Sequence, residues 1–338
     1  MRPPDFWRRS PASPLARLLS PFASIYGAAA GARLSRRGAR AGLPTIVVGG
    51  FTAGGDGKTP VALALAALLS REGERPAFLT RGYGRRRGAR REPFLVDPLR
   101  DTALEAGDEP LLLARCAPTI VAVDRAAGAI FAREIGAAIL LLDDGLQSRR
   151  LAADLVLAVV DCDYGAGNGL CLPAGPLRAP LARQMEAVDA IVAIGRGAAG
   201  DAVLHLARLA GKTIFRAHVR PDARIAAQLA GKRALAFAGV ARPEKFLATL
   251  RATGAVVAAA RWFPDHHRYT SGEIDILARE AGRLDAMLVT TEKDAARLKE
   301  PGDSSVVALG MEVVFENPDS IVATLKVLSK DLRLSRDA

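Results

Sequence analysis

From Pro44 onward, short apolar runs alternate with stretches whose apolar residues recur every three or four positions. Thr45–Val48, Ala77–Thr80, Thr119–Val123, Ala138–Leu142 and Leu155–Val160 are apolar throughout, which suits strands covered on both faces. Pro60–Leu69 has helical spacing. This alternation predicts an α/β fold built on a doubly wound, mostly parallel sheet. A second series of apolar runs follows, Ile191–Ile194, Ala234–Ala238, Val256–Ala258 and Ala286–Thr290, and a second, smaller α/β domain is expected. The polar, basic stretch Arg216–Arg224 puts the change of domain near residue 215. The expected division is an N-terminal helix over 1–40, a first domain over 41–215 and a second over 216–338.

The first forty residues have their own pattern. Arg8, Arg9, Arg17, Arg33, Arg36, Arg37 and Arg40 are offset by a single acid, Asp5. Between them Leu15, Leu18, Leu19, Phe22, Ile25, Tyr26 and Ala29 follow one helical face. Ser13-Pro14 and Ser20-Pro21 each look like an N-cap with Pro at the first helical position, so a helix restarted or kinked near Pro21 is expected. An apolar stripe flanked by arginines suits a helix lying in a membrane interface; an ordinary packed helix has the same periodicity. Arg17 and Pro21 interrupt the apolar region and argue against a cleaved secretory signal.

Charge and composition narrow the partners. Lys and Arg total 47 against 36 Asp and Glu, a formal charge of +11, so an acidic partner is expected. Only 5% of residues are aromatic, and none interleave with basic residues as a stacking surface requires, which argues against nucleic acid. Three cysteines without CxxC spacing suit a reduced compartment, and no run of eighteen apolar residues predicts a spanning helix.

The chemistry concentrates in Thr45–Pro60, TIVVGGFTAGGDGKTP, where a β-branched strand enters a glycine-rich turn and a helix follows. This is the setting of a phosphate-binding loop. Thr52, Ala53, Gly54, Gly55, Asp56 and Gly57 would wrap phosphate oxygens with backbone N–H groups. Lys58 would neutralise the β- and γ-phosphates of ATP, and the Thr59 hydroxyl would ligate Mg²⁺. A strict phosphate-loop pattern has Gly where Thr52 stands. Downstream, AILLLDDG (Ala138–Gly145) is an apolar strand ending in carboxylates. It would deliver Asp143 and Asp144 to the same sheet edge as magnesium ligands.

Further segments, in order, extend the pattern: TRGYGR (Thr80–Arg85), AGDEPLLLA (Ala106–Ala114), LDDGLQ (Leu142–Gln147), LPAGPLR (Leu172–Arg178), AFAGVARPEKF (Ala236–Phe246), FPDHH (Phe263–His267) and TTEKDAARL (Thr290–Leu298). With VGGFTAGGDGKTP (Val48–Pro60), including its Thr52, they make the chain resemble the tetraacyldisaccharide 4′-kinases of lipid A biosynthesis over nearly its whole length. The resemblance implies transfer of the ATP γ-phosphate to the 4′-hydroxyl of a tetraacylated glucosamine disaccharide 1-phosphate. It also implies a peripheral enzyme on the cytoplasmic face of the inner membrane, docked on an anionic surface by its N-terminal helix. It makes Asp108 the base and a histidine its assistant, mapped to His266 with His267 second. Without the resemblance, Asp108 before Glu-Pro looks like a helix cap and Asp265–His267 like a surface or metal-binding loop. Arg81, opening the basic segment Arg81–Arg91, is a candidate for the substrate or nucleotide phosphates; a solvated loop is the plainer alternative. Glu292, Lys293 and Asp294 match the family without an assignable role. Two positions depart from its pattern: Gly50 stands where Asn is usual and Ala179 where Glu is usual.

Two other readings stay open on the residues alone. A nucleotide switch such as a GTPase would need N-K-x-D, which TEKD (Thr291–Asp294) does not supply. A non-catalytic basic module would have no use for a phosphate loop paired with an acidic strand end.

Overall fold

The computed structural model describes residues 4–8, 13–36, 38–54, 56–85, 92–240, 242–298 and 306–334. The strands are β1 (Thr45–Gly50), β2 (Pro76–Thr80), β3 (Phe94–Leu95), β4 (Thr119–Val121), β5 (Ile139–Asp143), β6 (Leu155–Asp161), β7 (Ala190–Ile194), β8 (Thr213–Pro221), β9 (Arg233–Ala238), β10 (Val256–Trp262), β11 (Met287–Thr291), β12 (Val306–Leu309) and β13 (Met311–Phe315). The helices are α1 (Pro14–Leu34), α2 (Lys58–Arg71), α3 (Asp108–Ala114), α4 (Arg125–Glu134), α5 (Leu181–Glu186), α6 (Asp201–Leu209), α7 (Ala223–Leu229), α8 (Pro243–Ala252), α9 (Ser271–Arg283), α10 (Glu292–Ala295) and α11 (Pro318–Leu334).

The larger sheet runs β13-β8-β7-β6-β1-β5-β2-β4-β3, parallel except at its two edges, where β13 and β3 are antiparallel to their neighbours. Successive residues of one strand enter different cores. Val47, Leu140 and Leu142 pack on one side, and Ile46, Val48 and Leu141 on the other. Both faces are therefore covered, which is why these strands lack a polar alternation. β1 lies between β5 and β6, so the chain changes direction across the sheet here and leaves a crevice beyond the strands' carboxyl ends. The phosphate-loop turn, Asp143 and Asp161 all emerge at that edge.

The second sheet, β10-β9-β11-β12, is parallel throughout and is covered on both faces by separate apolar clusters. The change of sheet does not come near residue 215. Thr213–Pro221 is a strand of the larger sheet, and Phe215 and Ala217 sit in its core. After β12 the chain returns to that sheet: Val313, Phe315, Ile321 and Leu325 join the same core. Residues 223–309 thus form the second body, inserted between β8 and the edge strand β13 of the first. Arg216 and Arg220 gave this stretch its basic look because β8, near the edge, buries only Phe215 and Ala217 and leaves His218, Val219 and Arg220 exposed.

α1 is a single helix and does not restart at Pro21. Pro21 has no N–H to offer the Arg17 carbonyl, and the Ser20 hydroxyl donates to that carbonyl at 2.8 Å instead. The helix is capped by Ser13, which accepts from the Ala16 N–H at 3.2 Å. Its packed side is made of small residues, Ala16, Ala23, Gly27, Ala30 and Gly31, with Leu34. A Cβ at Gly27 would lie 3.0 Å from Cys171 Sγ. The apolar stripe Leu15, Leu18, Phe22, Ile25 faces outward, with Leu18 and Ile25 each 72% exposed. No helix among the described residues is long and apolar enough to cross a membrane.

Candidate active site

The strand–turn–helix setting of the glycine-rich loop is present. β1 ends at Gly50, and Gly57 enters α2 with a left-handed backbone (φ 88°), where a Cβ would meet Ile194 at 2.6 Å. The loop is braced from outside. Ala53 N–H donates to Pro176 O at 2.7 Å, and Arg178 Nε donates to Thr52 O at 3.0 Å. Thr52 explains its own presence, since its hydroxyl donates to Asp56 Oδ1 at 2.6 Å inside the turn. Gly55 lies outside the described residues, as does Arg86–Arg91 of the basic segment. Lys58 Nζ donates to Gly54 O at 3.1 Å and stands 3.8 Å from Asp56 and 3.9 Å from Asp144.

Asp143 and Asp144 both lie against this loop, in different ways. Thr59 Oγ1 donates to Asp143 Oδ2 at 2.9 Å, while Asp143 Oδ1 is buried with no hydrogen-bond partner. Burial, with Glu109 and Asp144 nearby, pushes the Asp143 carboxyl up to about 7. A buried carboxylate with a free oxygen and a raised pKa is a donor that an oxygen-seeking divalent ion fits. Among the described residues, no three His, Cys, Asp or Glu side chains gather to hold a metal. The protein would thus give part of a coordination shell and leave the rest to phosphate and water, as suits magnesium. Asp144, in the left-handed region at φ 54°, accepts both Arg178 Nη1 contacts at 2.9 Å. Burial works against its charge, but Lys58 and Arg178 outweigh it and hold the carboxyl below its usual range.

Asp108 opens α3, and its carboxylate is the hub of a second cluster. Its Oδ2 lies 2.9 Å from His266 Nδ1 and accepts from Arg297 Nε at 2.7 Å. Arg297 also donates to Asp294 at 2.9 Å and to Gly239 O at 3.0 Å. Burial raises Asp108, yet the hydrogen bond from His266 and the charge of Arg297 lower it further, to about 2. The same bond raises His266 above its usual value against partial burial. His266 is held at a left-handed φ of 60°, which aims its ring at Asp108. His267 points elsewhere: it lies 3.1 Å from Glu273 and stacks on Phe263 with centroids 4.7 Å apart. The two clusters adjoin through the Lys293–Glu109 ion pair at 2.8 Å, whose members both act on Asp143. Burial opposes the Lys293 charge, but Glu109 and Asp143 outweigh it and raise its pKa.

Arg81 is exposed, 5.9 Å above the Tyr83 ring, on the turn that brings Gly84 to Asp108. Behind it Arg125 is buried with Nη1 unpartnered; burial first, then Arg81, lowers its pKa to about 10. Sequence reasoning did not single out Arg125, Arg178, Arg242 or Arg297. Each acts across a long separation in the chain, and an isolated arginine has no local signature.

This geometry has close relatives. The family model for tetraacyldisaccharide-1-P 4′-kinase matches residues 15–329. The chain belongs to this family. It is 52% identical over 321 residues to the tetraacyldisaccharide 4′-kinase of Methylobacterium radiotolerans, covering 95% of this chain and 97% of that protein. It is 46% identical over 326 residues to that of Bradyrhizobium sp. BTAi1, covering 95% and 93%. Among solved structures it is similar to LpxK from Aquifex aeolicus in complex with ATP, with a TM-score of 0.73 and 25% identity over 93% of this chain and 99% of that one. At Gly50 a Cβ would come within 2.7 Å of Asp56 Oδ2. Ala179 is buried, with its carbonyl accepting from Gln184 Nε2 at 2.7 Å.

Proposed function

We propose that the chain transfers the γ-phosphate of ATP to the 4′-hydroxyl of a tetraacylated glucosamine disaccharide 1-phosphate, as its kinase family does. The observation that carries this reading is the adjacency of a phosphate loop tied to Asp143 and an ionised Asp108 held by His266 and Arg297. In this assignment, free backbone amides at the entry to α2 and the Lys58 ammonium hold the β- and γ-phosphates. Thr59 and Asp143 would hold a magnesium ion, with Asp144 beside them; the ion would supply charge neutralisation at the phosphates. Asp108 accepts a hydrogen bond from the 4′-hydroxyl and orients its oxygen in line with the γ-phosphorus. The new O–P bond forms as the bond to the β,γ-bridging oxygen breaks. ADP leaves, and the hydroxyl proton passes to Asp108. A carboxylate with a pKa near 2 is a weak base, which suffices when a loose transition state leaves little charge on the nucleophile until late. Arg81, with Arg125 behind it, faces the anionic part of the acceptor.

The exposed stripe of α1 and the excess of positive charge support docking on an anionic membrane at its cytoplasmic face. The test is incubation with ATP, Mg²⁺ and the disaccharide 1-phosphate, followed by mass spectrometry of the lipid. One added phosphate, absent with Lys58→Ala, is expected. Unchanged lipid, or equal yield from Lys58→Ala, overturns the assignment.

A further inference from the structure

Arg297 follows α10, and only 3% of its side chain is exposed. Its donors are spent in two directions. Nη1 donates to Gly239 O at 3.0 Å and to Asp294 Oδ1 at 2.9 Å, both within the second body. Nε points out of that body and donates to Asp108 Oδ2 at 2.7 Å. Asp294 is fully buried. Its Oδ1 also accepts from the Gly239 N–H and from the Tyr269 hydroxyl, each at 3.0 Å, and its Oδ2 accepts from the Thr291 hydroxyl at 2.7 Å. Tyr269 is in turn packed edge-on against Phe237 and Phe263.

A buried ion pair such as Asp294–Arg297 is a poor way to stabilise a domain, because apolar residues of similar volume do as well. What it adds is direction. A guanidinium is planar, and with both Nη1 hydrogens tied to fixed acceptors its Nε–H has no freedom to swing. Both contacts on Asp108 then fall on one oxygen, since His266 Nδ1 lies 2.9 Å from the same Oδ2. Oδ1 has no hydrogen-bond partner among the described residues, and the backbone beside it is Gly84, where a Cβ would stand 3.5 Å away. The other charged groups around this carboxylate are Asp265 beside His266, Glu109 with its partner Lys293, and Arg81 and Arg85 on the turn that carries Gly84.

We propose that Arg297 is a positioning residue for phosphoryl transfer, aimed by the buried Asp294, which pins Oδ2 of Asp108 and so presents Oδ1 to the acceptor hydroxyl. The inference rests on the assignment of Asp108 as base and deepens it. The hydroxyl proton passes to Oδ1 as the new O–P bond forms and the bond to the β,γ-bridging oxygen breaks. Arg297 touches neither substrate and holds no proton in transit. It keeps the carboxylate charged and fixes which of its oxygens is free.

The test is steady-state phosphorylation of the disaccharide 1-phosphate by the full chain in detergent, from pH 4 to 8, with thermal melts alongside. Arg297→Gln is expected to lose about a hundredfold in kcat at pH 7, as misplacement of a reacting group does, with KM for ATP unchanged. Loss of an opposite charge in contact raises a carboxyl by about 1–3 units, so the variant's kcat relative to wild type should fall further as pH drops toward 4. Arg297→Lys, which keeps the charge without the fork, should recover part of kcat and most of the pH dependence. Asp294→Asn should lower kcat in the same direction, again without moving KM for ATP. Wild-type kcat in Arg297→Gln overturns the proposal. So does a loss of the same size at every pH, because the arginine then serves only the packing of the second body. If Arg297→Gln melts early, Arg297→Lys carries the test: full wild-type kcat there removes the need for the fork. Asp108→Ala separates the two levels. Undiminished turnover in Asp108→Ala removes the base itself, whereas loss there with none in Arg297→Gln removes only the positioning residue.

Discussion

Asp108 keeps its charge against burial because His266 and Arg297 face it, and its pKa near 2 has a signed consequence. The folded value lies below the unfolded one of about 3.9. The native ion pair therefore adds stability that is full above about pH 4 and is lost as pH falls through about 2. The melting temperature of wild type should exceed that of Asp108→Asn at pH 7, with the gap narrowing as pH drops toward 3. A gap independent of pH would contradict it. In turnover, Asp108→Ala should lose far more than tenfold, about 1.4 kcal/mol, while keeping ATP affinity. His266→Ala should lose less, and His267→Ala least, since that ring is turned to Glu273; kcat/KM for the three variants checks the order. The phosphate loop and the Asp143–Asp144 pair were legible because their parts are contiguous and local order creates the site. Choosing His266 over His267 needed the backbone: two neighbouring imidazoles diverge, and the left-handed φ of His266 decides which one faces Asp108. Arg297 reaches Asp108 across 189 positions, a distance no spacing rule covers.

Among the elements, α1 divides its surface by side-chain size. Glycine and alanine let it lie close to α5 and the loop before it, and the large apolar residues are left outside. Leu18→Asp and Ile25→Asp should each weaken binding to anionic vesicles at least about tenfold, given roughly 1.5–3 kcal/mol per buried large side chain, with little change in melting temperature. Gly27→Leu should do the reverse first, loosening the helix from Cys171 and lowering the melting temperature. Vesicle flotation and thermal melts together distinguish the two faces. The stripe itself was legible from its three-and-four spacing. That Pro21 would be accommodated was not, because it depends on where the Ser20 hydroxyl finds its acceptor. Central strands were recognised for being apolar on both faces. β3 is only two residues long, and β8 and β13, at the sheet's margin, mix polar and apolar positions as loops do.

At the scale of the whole molecule, the return of β13 and α11 makes the C-terminus part of the first body. A chain ending at residue 309 forfeits the burial of Val313, Phe315, Ile321 and Leu325. At roughly 1.5–3 kcal/mol each, that approaches the 5–15 kcal/mol that typically separates folded from unfolded domains. Urea titration should show the truncated chain unfolded or nearly so, although its phosphate loop and both clusters are intact in sequence. The two crossings between the bodies lie side by side: β8 pairs with β13, and Asp222 N–H donates to Gly310 O at 3.0 Å where the crossings begin. A pair of ribbons bound edge to edge bends easily about one line and resists twist and stretch, like the spine of a book. Any swing of the covers would follow the arc fixed by the binding, so His266 and Arg297 would travel together along one track.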